Sequence, residues 1–248
     1  MNIGIFYFSS TGNSLYIAKR IQESLGGSVF YIPTFCGDCT QFERIILVSP
    51  VYSFGLPSHV FDFMPKLPKN VQLDVVLNYG GMLGGADAFA YQYAKELGLN
   101  IHSIHTIKMP ENYTLTFTVP SFYLKRVLKS SIKRISLLLS ALKSHQIISP
   151  SKSKTKSEKY FLNKANWHLL SKDFSVSDAC ISCGKCVRIC PTNNIQIVDG
   201  KVRFSDSCVA CLGCYHRCPQ KAIRYKNKNK KDRYVNPFLN ESDIGKDF

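Results

Sequence analysis

Eight of the ten cysteines in the 248-residue chain fall between Cys180 and Cys218. CISCGKCVRICP (180–191) and CVACLGCYHRCP (208–219) each read C-x2-C-x2-C-x3-C-P. In such a run three closely spaced thiolates ligate one iron–sulfur cube, and the fourth points away to ligate a neighbouring cube. On that spacing Cys180, Cys183, Cys186 and Cys218 hold one [4Fe-4S] cluster, while Cys208, Cys211, Cys214 and Cys190 hold the second. Structural zinc also takes four-cysteine sites. Two complete repeats, each closed by a proline (Pro191 and Pro219), favour the cubes over zinc. The remaining pair, Cys36 and Cys39 in FCGDC, has no second pair beside it and lacks a thioredoxin context, so it is read as inert thiols.

A different chemistry is written at residues 6–14, FYFSSTGNS, where an apolar run gives way to Ser9, Ser10, Thr11, Gly12, Asn13 and Ser14. At a strand-to-helix turn such a cluster offers unpaired backbone N–H groups, a positive dipole end and hydroxyl donors, all suited to phosphate oxygens. Gly12 lets the backbone approach closely. The G-x-x-x-x-G-K-[ST] loop of triphosphate sites and the G-x-G-x-x-G dinucleotide fingerprint are both absent here, which leaves a single terminal phosphate as the better fit. The bland alternative is a helix cap.

The elements that must position these groups follow an alternating pattern. IGIFYF (3–8), SVFYI (28–32), RIILVS (44–49), VQLDVVLN (71–78) and IHSIHTIKM (101–109) read as strands. SLYIAKRIQESLGG and ADAFAYQYAKELG read as helices that end at glycine. Alternation predicts a doubly wound α/β fold, and five strands match a five-stranded parallel sheet better than a six-stranded dinucleotide fold. Between the cysteine runs, NNIQIVDGKVRF (193–204) predicts a hairpin with Asp199-Gly200 at its turn.

With strand and turn in place, residues 9–14 resemble the phosphate loop of flavodoxins. That resemblance implies FMN, with the flavin ring between the loops after the third and fourth strands. The matching segments are PVYSFGLP (50–57) and NYGGMLGG (78–85), which nominate Pro50, Val51, Tyr52, Ser53, Phe54, Gly55, Asn78, Tyr79, Gly80 and Gly81. Tyr52, Phe54 and Tyr79 either stack on the flavin or plug the core. The two halves together resemble the flavodoxin–ferredoxin fusion proteins of anaerobic bacteria, over residues 1 to about 115 and about 173 to 226; MPENY (109–113) looks like that family as well. The resemblance implies a flavodoxin-like domain and a small α+β two-cluster ferredoxin domain; with the residues outside it read from their composition, the expected division is a flavodoxin-like domain at 1–148, a basic linker and helix at 149–172, the ferredoxin domain at 173–226 and a basic polar tail at 227–248. Electron transfer is the implied activity.

The formal charge is +15, and it is unevenly spread: residues 1–120 carry net −1, 121–172 net +11, 173–220 net +1 and 221–248 net +4. Residues 121–148 set Leu124, Leu128, Ile135, Leu139 and Leu142 near one helical face with cations opposite. This is either the last helix on the sheet or a helix for a membrane surface or partner. SKSKTKSEK (151–159) reads as a solvated linker. An acidic redox partner, a ferredoxin or flavoprotein, accounts for the excess charge more economically than nucleic acid does. With no leader-like n-region and no run of 18 apolar residues, the chain is expected in the cytoplasm, without a membrane span. A flavin-dependent oxidoreductase acting on a small substrate is the alternative activity.

Overall fold

The computed structural model describes residues 1–116, 118–228, 233–240 and 243–244. Strands β1 (Ile3–Tyr7), β2 (Ser28–Tyr31), β3 (Arg44–Pro50), β4 (Gln72–Tyr79) and β5 (Ile101–Lys108) form one sheet in the order β2-β1-β3-β4-β5. Every pairing is parallel; Ile5 faces Val29 and Ile46, and Val76 faces Val48 and His105. A parallel sheet is covered on both faces, which is why β1 is buried at all five positions and reads as an unbroken apolar run. This order is that of the flavodoxin-like fold, and its topology reverses between β1 and β3, opening a crevice at the carboxyl ends of the strands.

Helices α1 (Asn13–Leu25), α2 (Ser58–Phe63), α3 (Ala86–Glu96) and α4 (Ser121–Lys143) complete this part. α4 lies against α1 and β5 and buries Val127, Ser131, Ile135, Leu138 and Leu142. The buried stripe is rotated from the one expected, so that Leu124, Leu128 and Leu139 are only half buried. At the end of the sheet away from the crevice, Arg44 Nε donates to Asp74 Oδ2 at 2.7 Å, and both side chains are buried. Asp74 also accepts from Ser103, and Arg44 Nη1 reaches the carbonyl of Leu142 at 3.0 Å. The pair thereby ties β3, β4, β5 and α4 together.

The cysteine-rich part repeats itself at an interval of 28 residues. Strands β6 (Phe174–Val176) and β9 (Ile223–Tyr225) pair antiparallel, as do β7 (Ile195–Val198) and β8 (Lys201–Phe204). Short helices α6 (Lys185–Arg188) and α7 (Gly213–Arg217) each follow the second cysteine of their run. Backbone angles repeat too: φ is 50° and 54° at Ser182 and Ala210, 73° and 60° at Gly184 and Leu212, and 54° and 50° at Asn193 and Lys221. The hairpin turn has φ of 49° at Asp199 and 71° at Gly200, the two left-handed positions that Asp-Gly supplies. Phe174, Leu212, Tyr215 and Ile223 form the core of this part, and Leu115 enters it from the loop after β5.

The expected solvated linker 151–159 runs into a helix from residue 157, and described residues of the basic polar tail pack on the rest of the chain. The stretch 151–156 is largely exposed, yet the backbone N–H and Oγ of Ser151 donate to Asp87 at 2.6 and 3.1 Å. Helix α5 (Ser157–Asn166) follows and buries Tyr160 completely, its hydroxyl donating to the carbonyl of Leu56 at 2.8 Å. The Tyr160 ring lies on Gly55, where any Cβ would collide with it. Trp167 is buried beside it. Two aromatic anchors seven positions apart turn the stretch into a strap. In the tail, Tyr234, Asn236 and Ile244 are buried, packed against the start of α1.

Candidate functional site

The loops after β1, β3, β4 and β5 surround a cavity of about 710 Å³ at the topological crevice. Of the sixteen residues nominated from the sequence, fourteen line it: Ser9, Ser10, Thr11, Asn13 and Ser14; Pro50 through Phe54; and Asn78 through Gly81. Gly12 and Gly55 sit behind the wall. Gly12 has φ of 95°, which a side chain tolerates poorly, and a Cβ there would meet Ile244, Asn236 and Leu239 of the tail within 3.1 Å.

The hydroxyls of the first loop are organised by neighbours. Gly12 N–H donates to Ser9 Oγ at 3.1 Å, Asn112 Nδ2 donates to Thr11 Oγ1 at 3.0 Å, and Asn78 Nδ2 donates to Ser14 Oγ at 2.7 Å. A hydroxyl that accepts a hydrogen bond keeps its own proton to donate. Ser9 and Thr11 in the loop before α1, and Ser14 on its first turn, thus retain three O–H donors near the positive end of the helix dipole.

Tyr52 and Gly55 exchange backbone hydrogen bonds at 2.9 and 3.0 Å, closing a two-residue turn whose tip, Ser53 and Phe54, has φ of 49° and 74°. Holding two such residues left-handed costs on the order of 1 kcal/mol each and fixes the tip in the cavity wall. Tyr52 sits edge-on to Phe8 and Trp167, with its hydroxyl 3.4 Å from Ser10 Oγ; burial raises its pKa strongly, so it stays a neutral phenol. The Phe54 ring packs against Gly84, with the Lys156 ammonium 4.5 Å from its centroid. Glu111 accepts the Gly81 N–H at 2.8 Å and the N–H groups of Asn112 and Tyr113 at 2.9 and 2.8 Å, so the loop after β5 clasps the loop after β4.

Part of the wall comes from residues that sequence reasoning did not nominate. Pro110 through Tyr113 line one side; the strap contributes Lys159, Asn163, Asn166 and Trp167. Ala210, Cys211 and Leu212 form the far wall, so the second cysteine run opens into the same cavity as the phosphate-type loop. Gly213 lies against Ser10: a Cβ on it would stand 3.6 Å from the Ser10 Cβ. MPENY was the visible signal for 110–113. For the strap and for 210–212 the position of one part on the other decides, and no local pattern encodes that.

Four of the eight cysteines expected as ligands share one small space, and the other four lie within electrostatic reach of one another. Cys180, Cys183, Cys186 and Cys218 line a small space of about 20 Å³. Burial, then Cys218 ahead of Cys180 and Cys183, pushes the Cys186 thiol up to about 11. Cys211 is pushed up to about 12 by burial and by Cys190 and Cys208, and Cys214 rises for the same reasons. Among the described residues no three His, Cys, Asp or Glu side chains are drawn together closely enough for a single ion. Thiols that burial keeps protonated become thiolates only where a cation compensates them, which is what bound iron does. Backbone N–H groups already point at three sulfurs: Asn194 at Cys190 (3.3 Å), Ala210 at Cys208 (3.4 Å) and Ala222 at Cys218 (3.3 Å). Cys36 is exposed and Cys39 buried, and burial pushes the Cys39 thiol up to about 11.

The sheet order places the first part in the flavodoxin-like class. Residues 179–223 match the family model described as 4Fe-4S dicluster domain. No curated protein matches the chain. Solved structures similar to the first part include a Fusobacterium nucleatum flavodoxin bound to flavin mononucleotide, 17% identical, covering 58% of this chain and 97% of that one, with TM-score 0.41. Megasphaera elsdenii flavodoxin in its two-electron reduced form is 23% identical, covering 42% and 84%, with TM-score 0.38. Rubredoxin oxygen:oxidoreductase from the anaerobe Desulfovibrio gigas is 17% identical, with TM-score 0.37; the match covers 56% of this chain and 36% of that longer one. No helix among the described residues is long and apolar enough to cross a membrane.

Proposed function

We propose that the protein transfers electrons between two [4Fe-4S] clusters and an FMN held in one chain. One observation carries this reading: Cys211 and its neighbours wall the same cavity as Ser9–Ser14 and the 50–55 and 78–81 loops. Bound cubes supply single electrons, and a flavin supplies exchange between one- and two-electron carriers. In this reading the residues do the positioning. Ser9, Thr11 and Ser14 donate to the phosphate; Gly80 and Gly81 bring backbone to the ring edge; Tyr52, Phe54 and Trp167 exclude water. Cys190, Cys208, Cys211 and Cys214 hold the cluster next to the flavin, and Cys180, Cys183, Cys186 and Cys218 the outer one. Cys183 is exposed, which suits exchange with a partner.

The exposed cations of α4, Lys125, Arg126, Lys129, Lys133 and Arg134, fit an acidic redox partner, a ferredoxin or flavoprotein. Thiolate ligands of this kind belong in the reducing cytoplasm. Cavity size supports FMN, since about 710 Å³ lies within the few hundred to about 1,000 Å³ typical of cofactor sites. A second reading, reduction of a small substrate beside the flavin, is favoured by Lys159, Asn163 and Asn166, which line the outer wall at helical spacing.

Rapid mixing under argon tests the first reading. With clusters reduced by a one-electron donor, flavin absorbance should change with a rate constant independent of protein concentration, because both sites share one cavity wall. A rate proportional to protein concentration would end the reading. Salt-sensitive reduction by an acidic ferredoxin, against salt-sensitive retention on DNA, separates a redox partner from a nucleic-acid one.

A further inference from the structure

A closed circuit of hydrogen bonds runs from the second cysteine run, through the tail, to the phosphate-type loop and back. The Tyr234 N–H donates to His216 Nδ1 at 3.1 Å, which leaves Nε2 of the same ring to donate to the Asn112 carbonyl at 2.6 Å. Asn112 passes on through its side chain, Nδ2 donating to Thr11 Oγ1 at 3.0 Å. The Thr11 carbonyl accepts the Asn236 N–H at 2.8 Å. Asn236 Nδ2 then donates to Asn13 Oδ1 at 3.1 Å, and the same oxygen accepts the Tyr234 hydroxyl at 2.7 Å, which closes the circuit. Asn13 is held from its other end as well, Nδ2 donating to the Pro110 carbonyl at 3.1 Å.

Nearly everything in this circuit is shielded from water. Exposure is 2% at Thr11, 7% at Asn13, 3% at His216, 6% at Tyr234 and 1% at Asn236. A buried polar network whose members are all satisfied is rigid, and removing one member leaves its partners short of a bond that water cannot replace. Geometry explains why the tail can come so close: Gly12 has no Cβ, and Asn236, Leu239 and Ile244 occupy the room. Arg233 fastens the tail at its other end, its guanidinium 3.3 Å from the Tyr215 ring centroid and Nη2 donating to the Ile223 carbonyl at 2.7 Å. Tyr215 and His216 lie between Cys214 and Cys218, one cysteine from each set.

We propose that the C-terminal tail is a working part of the phosphate site. His216, Tyr234 and Asn236 are positioning residues that hold Thr11 and Asn13 for the flavin phosphate and couple flavin binding to the cluster-bearing helix α7. This rests on the reading that FMN occupies the cavity. Its consequence is mutual: whatever orders α7, such as an assembled cluster, strengthens flavin binding, and bound flavin by the same factor stabilises the cluster segment. Tail, phosphate loop and α7 then form one ordering unit.

The test uses the full-length protein with its clusters assembled. Tyr234→Phe removes one hydroxyl at constant shape; Asn236→Leu removes the Nδ2 donor to Asn13 and the Oδ1 acceptor of the Phe238 N–H, and keeps the backbone N–H to Thr11. FMN affinity is read by anaerobic fluorescence titration, iron and sulfide content by chemical assay, and iron loss to a ferrous chelator with and without FMN. Wild type should bind FMN and lose iron more slowly in its presence. Tyr234→Phe should keep its iron and sulfide, bind FMN about 5- to 30-fold more weakly, and lose most of the protection of iron by FMN. Asn236→Leu should do the same or more. Wild-type affinity and wild-type protection in both variants would overturn the coupling while leaving the FMN reading intact. Failure of the wild type itself to bind FMN would overturn that reading and the coupling with it.

Discussion

Replacing Thr11 by Val and Ser14 by Ala separates a phosphate site from a helix cap. Both hydroxyls are buried, and both already accept an amide proton, from Asn112 and Asn78, so what each has to offer a ligand is its own O–H. A hydrogen bond to a charged acceptor is worth about 1.5 kcal/mol or more, so two lost donors amount to about 3 kcal/mol and roughly a 150-fold weaker FMN complex. The apoprotein pays separately: Asn78 Nδ2 keeps the Ser49 carbonyl at 3.1 Å, while Asn112 Nδ2 loses its Thr11 partner. Stability should therefore fall by about 1 kcal/mol, mostly from Thr11. Anaerobic titrations of wild type and the double variant with FMN and with riboflavin isolate the phosphate term, since riboflavin has none. The FMN-to-riboflavin affinity ratio should collapse in the variant while riboflavin binding stays close to wild type. An unchanged ratio would refute the argument: the hydroxyls would then serve only to shape the start of α1.

Protein prepared without oxygen should carry about 8 iron and 8 sulfide per chain. Cys183→Ser should remove the outer cube and loosen the other through the crossed ligands Cys190 and Cys218, which metal analysis will show as fewer than 8 and unstable iron. Arg233 is half-buried, with Nε and Nη1 lacking acceptors among the described residues; Tyr215, Cys218 and Cys214 lie close enough to oppose the lowering of its pKa by burial. Arg233→Gln removes a positive charge that favours the added electron, so both midpoints should move negative by on the order of tens of millivolts in an EPR-monitored titration. Arg44→Met strands the buried Asp74 carboxylate and should cost about 3–5 kcal/mol in chemical denaturation, whereas Arg44→Met with Asp74→Leu should recover at least half. Burial lowers the pKa of His105, and of His216 to about 4, so the unfolded chain binds more protons below the usual His range. Stability should consequently decline as pH falls below about 6.5, and His105→Gln should flatten that decline.

What could be read along the chain tracks how local its cause is. All five strands were legible because a buried parallel strand must be apolar along its length, and β1, β3 and β4 are buried almost throughout. The Asp199-Gly200 turn was legible because two left-handed positions need those residue types. Helix α2 is six residues long, too short for a period to show. The α4 stripe was misplaced by a fraction of a turn because several leucines compete for the face, and packing against α1 and β5 chose Val127 and Leu138 over Leu124 and Leu139.

The packing of the tail was not legible. Residues 221–248 contain eight cations, and average charge says solvent. Among the described residues, the buried side chains of the tail have partners more than two hundred positions away: Tyr234 and Asn236 with Asn13, and Ile244 against Gly12. The partner of such a residue cannot be inferred from its neighbours, because the hydrogen-bond geometry exists only once both parts have folded. The same holds for the cavity's far wall. Spacing alone nominates Cys211 as a ligand, but its place opposite Ser9–Ser14 depends on where the strap, pinned by Tyr160 and Trp167, delivers the second part. Two carriers in one chain could sit far apart on a loose tether. Here the strap, the tail and the His216 circuit leave little freedom, and that restriction is what makes a concentration-independent exchange between them a demanding expectation of this chain.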